Sequence, residues 1–385
     1  MLVLMFTELS REPRAMRQVR AFAEDFEVTT AGIGASPFPT VPHIEIPAEV
    51  PGPFLRRAWR FAWRTLFWRM RSYTSYSRLQ PHAQWVYNRL QREEWDVIIA
   101  HDVQTVPVAN RLNSRNGVLV DLHEYAPRQY EHSEEWVRET APYYDWICST
   151  QITQAARVIT VGEGIAHEYE KNYGFSPEVI VNATPYTEHN ALDLHTPIRL
   201  VHSGIAAPAR KLEIMVQGLR ATELPMTLDL LLVHPEGSDY LEELRRLADG
   251  DSRIRILPAV PYAQLVQTLN QYDIGISIIA PTTFNHEWSL PNKFFDYVQA
   301  RLGIIIGPSP EMSRYVDQYG LGVCARGFAA EDFAEILEGL TVEDVLKWKR
   351  NAAEHAAELS GERQMQRLGE IVRGMLPDSR QMAGR

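Results

Sequence analysis

Two adjacent cations, Arg210 and Lys211, follow a glycine, Gly204, within one short loop. A third, Lys293, comes directly after Pro291 and Asn292 at the start of a helical run. Glycine lets a backbone approach a ligand, and fixed cations near the amino ends of helices favour anions, so these parts suit a diphosphate. Asp296 lies one turn beyond Asn292, and a carboxylate there suits a ligand that also carries hydroxyls. The plain alternative is a pair of ordinary solvated helix starts. A second set, His101-Asp102 and His123-Glu124, closes two apolar strands. The histidines are not an i, i+4 pair, so no zinc helix motif is formed, and hydrogen bonding to a polar ligand is the simpler chemistry.

Strands and helices in alternation must position these residues. Leu2–Phe6, Val28–Ala31, Asp96–Ala100, Gly117–Leu122, Arg157–Val161 and Val179–Val181 read as buried strands, with amphipathic stretches between several of them. A helical run is expected from Ser133 to Ala155. A second series follows, with strands at Arg199–His202, Leu228–Val233, Arg253–Leu257, Asp273–Ile278 and Ile304–Ile306. Two such series predict an α/β chain of two Rossmann-like, doubly wound parallel-sheet domains. The candidate residues then fall at strand carboxyl ends, where open α/β sheets bind ligands. Around Lys293, Pro291 suits a first helical turn, Phe294, Phe295, Val298 and Leu302 give a face to bury, and Gly303 ends the helix.

A chain of 385 residues is long for one core, which also argues for two domains. With 45% hydrophobic and 23% charged residues the composition is that of a soluble globular protein. A net charge of -10 argues against nucleic acid as a partner. The two cysteines, Cys148 and Cys324, lack metal-ligand spacing and fit a reducing compartment. No apolar run approaches the ~20 residues of a membrane span, and the amino terminus opens on a strand without a basic leader. A cytoplasmic protein, at most peripheral on the inner face of a membrane, is expected. Residues 51–92 are the exception in composition: arginines interleave with Phe54, Trp59, Phe61, Trp63, Phe67 and Trp68, without one acid. Such a segment, 54–78 above all, suits either an anionic bilayer surface or a helix packed on its own domain under arginine stems.

The stretch Leu290-Pro-Asn-Lys-Phe-Phe-Asp-Tyr297 resembles the signature of family-4-like, GT-B fold nucleotide-sugar glycosyltransferases. Asp296 stands where that signature has Glu, and Trp288, beside Glu287, stands where it has an earlier Glu. The segment Gly204 to Lys211 resembles the family's Gly-x5-Arg-Lys element, and His123-Glu124 its segment contacting the transferred sugar. The resemblance implies two domains facing a cleft: an acceptor domain over 1–185, a linker over 186–197 and a donor domain over 198–360. A helix over 361–377 would cross back, followed by a tail over 378–385. It implies His123, Arg210 and Lys211 as catalytic, and Gly204, Val260, Pro291, Asn292, Lys293 and Asp296 as donor-binding. His101, Glu124 and Arg11 become candidates for the sugar or acceptor. No metal and no cofactor beyond a UDP- or GDP-linked sugar donor are implied. The acceptor would be a glycan or lipid-linked molecule in surface polysaccharide or glycoconjugate synthesis, and the reaction would retain configuration. The family's Gly-Gly pair after the first strand is missing from Thr7–Arg14. A non-catalytic partner subunit, or another nucleotide-sugar enzyme such as an epimerase, therefore stays open.

Overall fold

The computed structural model describes residues 1–50, 54–191, 193–234 and 239–377. The expected tail 378–385, the start of the basic segment at 51–53 and position 192 of the expected linker lie outside the described residues. So do the side chains of residues 54–57 and 60. The chain divides into two compact units, one of residues 1–181 with 365–385 and one of residues 182–364.

The first unit is built on a seven-stranded sheet in which every neighbouring pair is parallel. In chain order its strands are β1 (Leu2–Glu8), β2 (Thr29–Ile33), β3 (His43–Ile46), β4 (Ile98–His101), β5 (Val118–Leu122), β6 (Arg157–Thr160) and β7 (Glu178–Val179). They lie side by side as β3-β2-β1-β4-β5-β6-β7. The order reverses beside β1, which is where such a sheet opens a crevice at its carboxyl edge. Register is fixed by apolar partners: Val3 lies opposite Ile99, and Ile99 opposite Leu119. Both faces of these strands are covered, so β1, β4 and β5 are largely apolar, with Asp121 inside β5 and His101 at the end of β4 as the buried polar exceptions. Val19 and Phe22 of the Pro13–Asp25 helix pack on Val3, Ile99, Leu119 and Ile159, and so do Leu368 and Val372 of the Gly361–Met375 helix.

One sequence expectation changes here. The run from Ser133 is two helices, Glu134–Glu139 and Ala141–Thr150. Ser133 Oγ caps the first by accepting from Trp136 N at 3.3 Å, and Pro142 sits in the first turn of the second. Proline has no N–H to continue a preceding ladder but suits a new first turn, so the chain restarts at Thr140.

The second unit carries six parallel strands: β8 (Ile198–Ile205), β9 (Met226–Val233), β10 (Ile254–Pro258), β11 (Ile274–Ser277), β12 (Gly303–Ile306) and β13 (Gly322–Cys324). Their order is β10-β9-β8-β11-β12-β13, the same doubly wound plan with its reversal beside β8. The core of Leu200, Leu228, Leu230, Ile274, Ile276 and Ile305 is closed by Met215, Leu219 and Phe333 from covering helices. Two buried charges beside it are held by partners. Asp273, fully buried, accepts from Lys349 Nζ at 3.1 Å and from Arg199 N at 2.9 Å. Arg301, 2% exposed, donates to Gln299 O at 2.7 Å and Thr187 O at 2.6 Å.

Candidate functional site

In the second unit β8 and β11 run parallel and adjacent, and their carboxyl ends deliver His202, Gly204 and Ser277 to one hollow. Pro291 and Lys293 reach it from the start of the Asn292–Gln299 helix, and Arg210 from the loop after β8. The hollow is about 180 Å³. That is smaller than the ~300–1,000 Å³ of ordinary small-molecule sites, so it suits the charged part of a larger ligand.

Tyr297 fixes the two strand ends. Its hydroxyl donates to Ile276 O at 3.1 Å and accepts from Ser203 N at 3.2 Å. Its ring lies on Gly275, where a Cβ would come within 2.3 Å of the ring carbon Cγ. The tyrosine therefore shapes the strand end that carries Gly204. Gly204 leaves little spare room: a Cβ there would stand 3.0 Å from Lys293 Nζ, the far end of a flexible side chain, and 3.2 Å from His202 Nε2.

The electrostatics favour an anion. Burial, together with the neighbouring Arg210, lowers the Lys293 ammonium to about 7, and Asp296 offsets part of that. Two like charges held near each other, both half-buried, repel until a negative ligand arrives. Burial, with Lys293 and Arg210, also keeps His202 neutral, well below its ordinary value. Its Nδ1–H donates to Ile276 O at 2.8 Å, which leaves Nε2 as an acceptor in the hollow.

Of the residues expected at a donor site, Gly204, Arg210, Pro291 and Lys293 come together here. Lys211 is exposed in a left-handed conformation, φ 48°, after the turn Pro208–Arg210, and does not line the hollow. Asn292 heads its helix, half-buried and outside the lining. Asp296 is 3% exposed and accepts from Thr184 Oγ1 at 2.6 Å. Val260, half-buried, follows β10 in a separate loop. Sequence reasoning missed His202, Ser277, Ser309 and Glu287, which also line the hollow. Their signal was position, since each stands at or just past the end of a strand or beside the signature.

In the first unit β4 and β5 end side by side and bring the two histidines together, His101 Nδ1 lying 3.1 Å from His123 Nε2. Asp121, one residue inside β5, is the buried centre. Arg14 Nε donates to both its oxygens, at 3.0 and 2.8 Å, and Gln18 Nε2 to one at 2.6 Å. Burial would raise this carboxyl, but Arg14 and the two histidines outweigh it and hold it well below the usual range. Burial also drops His101 to about 3, against a smaller opposing pull from Asp121, so its ring stays neutral. Burial and the charge of Asp102 push Glu124 up to about 7. Asp102 adopts φ 63° and places Oδ1 3.6 Å from His123 Nδ1. Backbone strain at a non-glycine residue is tolerated where surroundings over-determine it, a common trait of ligand sites. Arg11, by contrast, is exposed and paired with Glu8 at 2.8 Å, and Arg14 is the residue that reaches the cluster.

His101, Asp121 and His123 offer ligand atoms within 4.8 Å of one another, so a metal deserves a chemical test. Arg14 occupies both carboxylate oxygens and fixes a positive charge beside them, which opposes a second cation. The group fits a hydrogen-bonding relay better than a metal centre.

A hollow of about 310 Å³ opens near the same edge, past the end of β4 and beside β1. Trp68, Tyr76, Tyr143 and Tyr144 supply ring faces, and Gln80 and Gln104 supply amides. Gln104 Nε2 donates to Tyr144 Oη at 2.6 Å. Flat apolar faces with a few amides suit a sugar ring. A larger, shallower hollow near Arg157, Glu178 and Arg367 lies at the amino end of β6, away from the ligand-binding edge.

No family profile and no curated protein matches the chain in sequence. Solved structures do match it. Sucrose-phosphate synthase from Thermosynechococcus elongatus superposes with a TM-score of 0.68 at 11% identity, over 97% of this chain and 98% of that one. HepE from Anabaena, in complex with UDP, gives 0.69 at 14% identity, over 97% and 99%. The lipopolysaccharide glycosyltransferase WaaG gives 0.60 at 13% identity, over 96% and 99%. The chain has the GT-B glycosyltransferase fold. Among the described residues of this GT-B chain, no helix is long and apolar enough to cross a membrane.

Proposed function

We propose that this GT-B chain is a glycosyltransferase that moves a sugar from a nucleoside-diphosphate sugar to a glycan or lipid-linked acceptor, as in surface polysaccharide or glycoconjugate synthesis. One observation carries the reading: Lys293, Arg210 and a glycine that admits a ligand meet in a hollow at the carboxyl ends of β8 and β11. A HepE structure of the same fold holds UDP-glucose, which supports a UDP-linked donor here.

In this reading the donor diphosphate lies against Lys293 and Arg210, with Lys211 at the rim and the helix amino terminus at Asn292 contributing N–H groups. As the bond from the anomeric carbon to the diphosphate oxygen breaks, its electron pair stays with the diphosphate, and preorganised cations stabilise that charge. The acceptor hydroxyl forms the new bond, and its proton leaves with the diphosphate. Retention of configuration is the outcome the sequence resemblance implies, and product anomer analysis by NMR checks it. His202 Nε2 accepts from a hydroxyl of the donor. Asp296 and its partner Thr184 support the ribose side, and main-chain groups near Val260 meet the base. On the first unit, His123, aligned by His101 and Asp102, orients the transferred sugar. Glu124, half protonated near neutrality, donates to a sugar oxygen, and the Trp68–Tyr144 hollow takes the acceptor ring. The cations do the work for which other transferases use a metal.

Titration calorimetry with UDP, GDP, ADP, TDP and CDP, without metal, tests the donor site. One nucleotide binds, and Arg210→Ala weakens it by roughly tenfold to a hundredfold, the value of a charge-assisted hydrogen bond. Binding of none, by a folded protein, would remove the reading. For the acceptor, Trp68→Ala raises the acceptor KM and leaves donor hydrolysis unchanged.

A further inference from the structure

The Phe54–Arg69 helix shows solvent the wrong face for a helix that only covers its domain. Trp59, Trp63, Leu66 and Met70, the last just past its end, follow the spacing i, i+4, i+7 and i+11, so they form one stripe. Their exposures are 59%, 38%, 43% and 65%. The rings of the stripe meet one another rather than a core, with Trp59 and Trp63 5.7 Å apart and Trp63 and Phe67 5.5 Å apart. Trp68, on the opposite face, packs against Tyr76 at 4.6 Å and against Tyr73 and Tyr143, both at 5.8 Å. That anchor turns the apolar stripe outward.

Charge selects what covers it. Apart from His82, every acidic or basic side chain between residues 51 and 92 belongs to an arginine, in a chain whose net charge is -10. Arg69, Arg71 and Arg78 are exposed, and Arg64 stands over the Phe61 ring at 5.7 Å. A second copy of the chain would bring arginines onto arginines, and a neutral apolar groove would leave them unpaired. An anionic lipid surface satisfies both at once, taking aromatic and aliphatic groups at the acyl boundary and arginines among its phosphates.

We infer that the Phe54–Arg69 helix lies in the interface of an anionic bilayer and holds the first unit on it. Trp68 links this to the proposed chemistry, because it anchors the helix and also walls the aromatic hollow. The acceptor is then a saccharide carried on a lipid, its sugar in the hollow while its chain stays in the bilayer. This last step rests on the transferase reading, whereas the bilayer contact does not.

Flotation with vesicles of phosphatidylcholine alone, and of phosphatidylcholine with phosphatidylglycerol, tests the contact in the full chain. Binding is expected to the anionic vesicles only and to fall as salt is raised. The variant Trp59→Ser/Trp63→Ser/Leu66→Ser and the variant Arg64→Gln/Arg69→Gln/Arg71→Gln should each bind roughly tenfold more weakly or worse. Both should keep nucleotide binding by the second unit, which separates this test from that of donor recognition. Quenching of wild-type tryptophan fluorescence by brominated anionic lipid gives a readout that needs no variant. Absence of quenching, binding equal to wild type in the serine variant, or a dimer in solution that the serine substitutions dissolve would each overturn the inference.

Discussion

Lys293 sits between two demands. Nucleotide recognition needs it charged, while burial beside Arg210 disfavours the charge and lowers it to about 7. A bound diphosphate raises that value again, so affinity is greatest below neutrality and declines as pH rises through about 7 and beyond. Calorimetry with the preferred nucleotide between pH 6 and 9 checks this, and a flat profile would contradict it. The stability effect has the opposite sense. The folded value is depressed below the unfolded one, near 10.4, so the cost of the buried charge is full below about 7 and is relieved as pH rises toward 10. Lys293→Met should therefore raise the urea midpoint near pH 6.5, lose that advantage by pH 9.5, and abolish nucleotide binding at both. Asp121 is the reverse case. Removing its partner by Arg14→Ala leaves a buried carboxylate uncompensated and should cost about 3–5 kcal/mol at neutral pH, read by urea denaturation. The stabilisation that the pairing provides is present above the ordinary carboxylate range and is lost only in strong acid, because the folded value is depressed.

Among the elements, the junction of β8, β11 and the Asn292–Gln299 helix decides the donor hollow. Tyr297 ties Ser203 of β8 to Ile276 of β11, and Gly275 makes room for its ring. Gly275→Ala should force the ring off the sheet, cost about 1–3 kcal/mol of stability, and weaken nucleotide binding although no ligand contact is altered. Tyr297→Phe keeps the packing and loses only the hydroxyl bridge, so it should affect binding with a smaller loss of stability. The motif tyrosine is thus a positioning residue for the end of β8 that carries Gly204, and the two variants separate its ring from its hydroxyl.

At the scale of the whole chain, each unit has its own parallel sheet and its own core, and the hollow proposed for the donor is lined entirely by the second. Hydrogen exchange with and without UDP or the preferred nucleotide should show protection at 202–211 and 275–293 and little change at 118–126. Protection centred on the first unit would displace the donor assignment. If the proposed donor site holds, EDTA should leave sugar transfer unchanged, since Arg14 already neutralises Asp121 and the donor phosphates would meet Lys293 and Arg210. Loss of transfer on chelation, restored by a divalent cation, would make His101, Asp121 and His123 a metal centre instead.

Local pattern was enough to establish the α/β alternation, the two series of strands, and the Pro291–Lys293 helix start. Apolar period acts over a few residues, and no distant partner has to be known; the exact ends were less local, since Pro291 caps the helix from outside and the helix stops at Gln299, leaving Gly303 as the first residue of β12 rather than the helix end. The same locality explains why Gly204, Arg210 and Lys293 were legible: glycine, cation and helix start carry their chemistry in their types. What they became depended on packing. Lys293 rests against Gly204 from 89 positions away, because β8 and β11 pair and Tyr297 bolts them. Asp121 looked like one more residue of an apolar strand, and only the approach of Arg14 and Gln18 from the first helix makes it the centre of the histidine pair. The arginine-aromatic helix shows the division most plainly. Its sequence allows an inward or an outward aromatic face, and the choice is made by Trp68, which finds Tyr76 and Tyr143 and turns the other tryptophans to solvent.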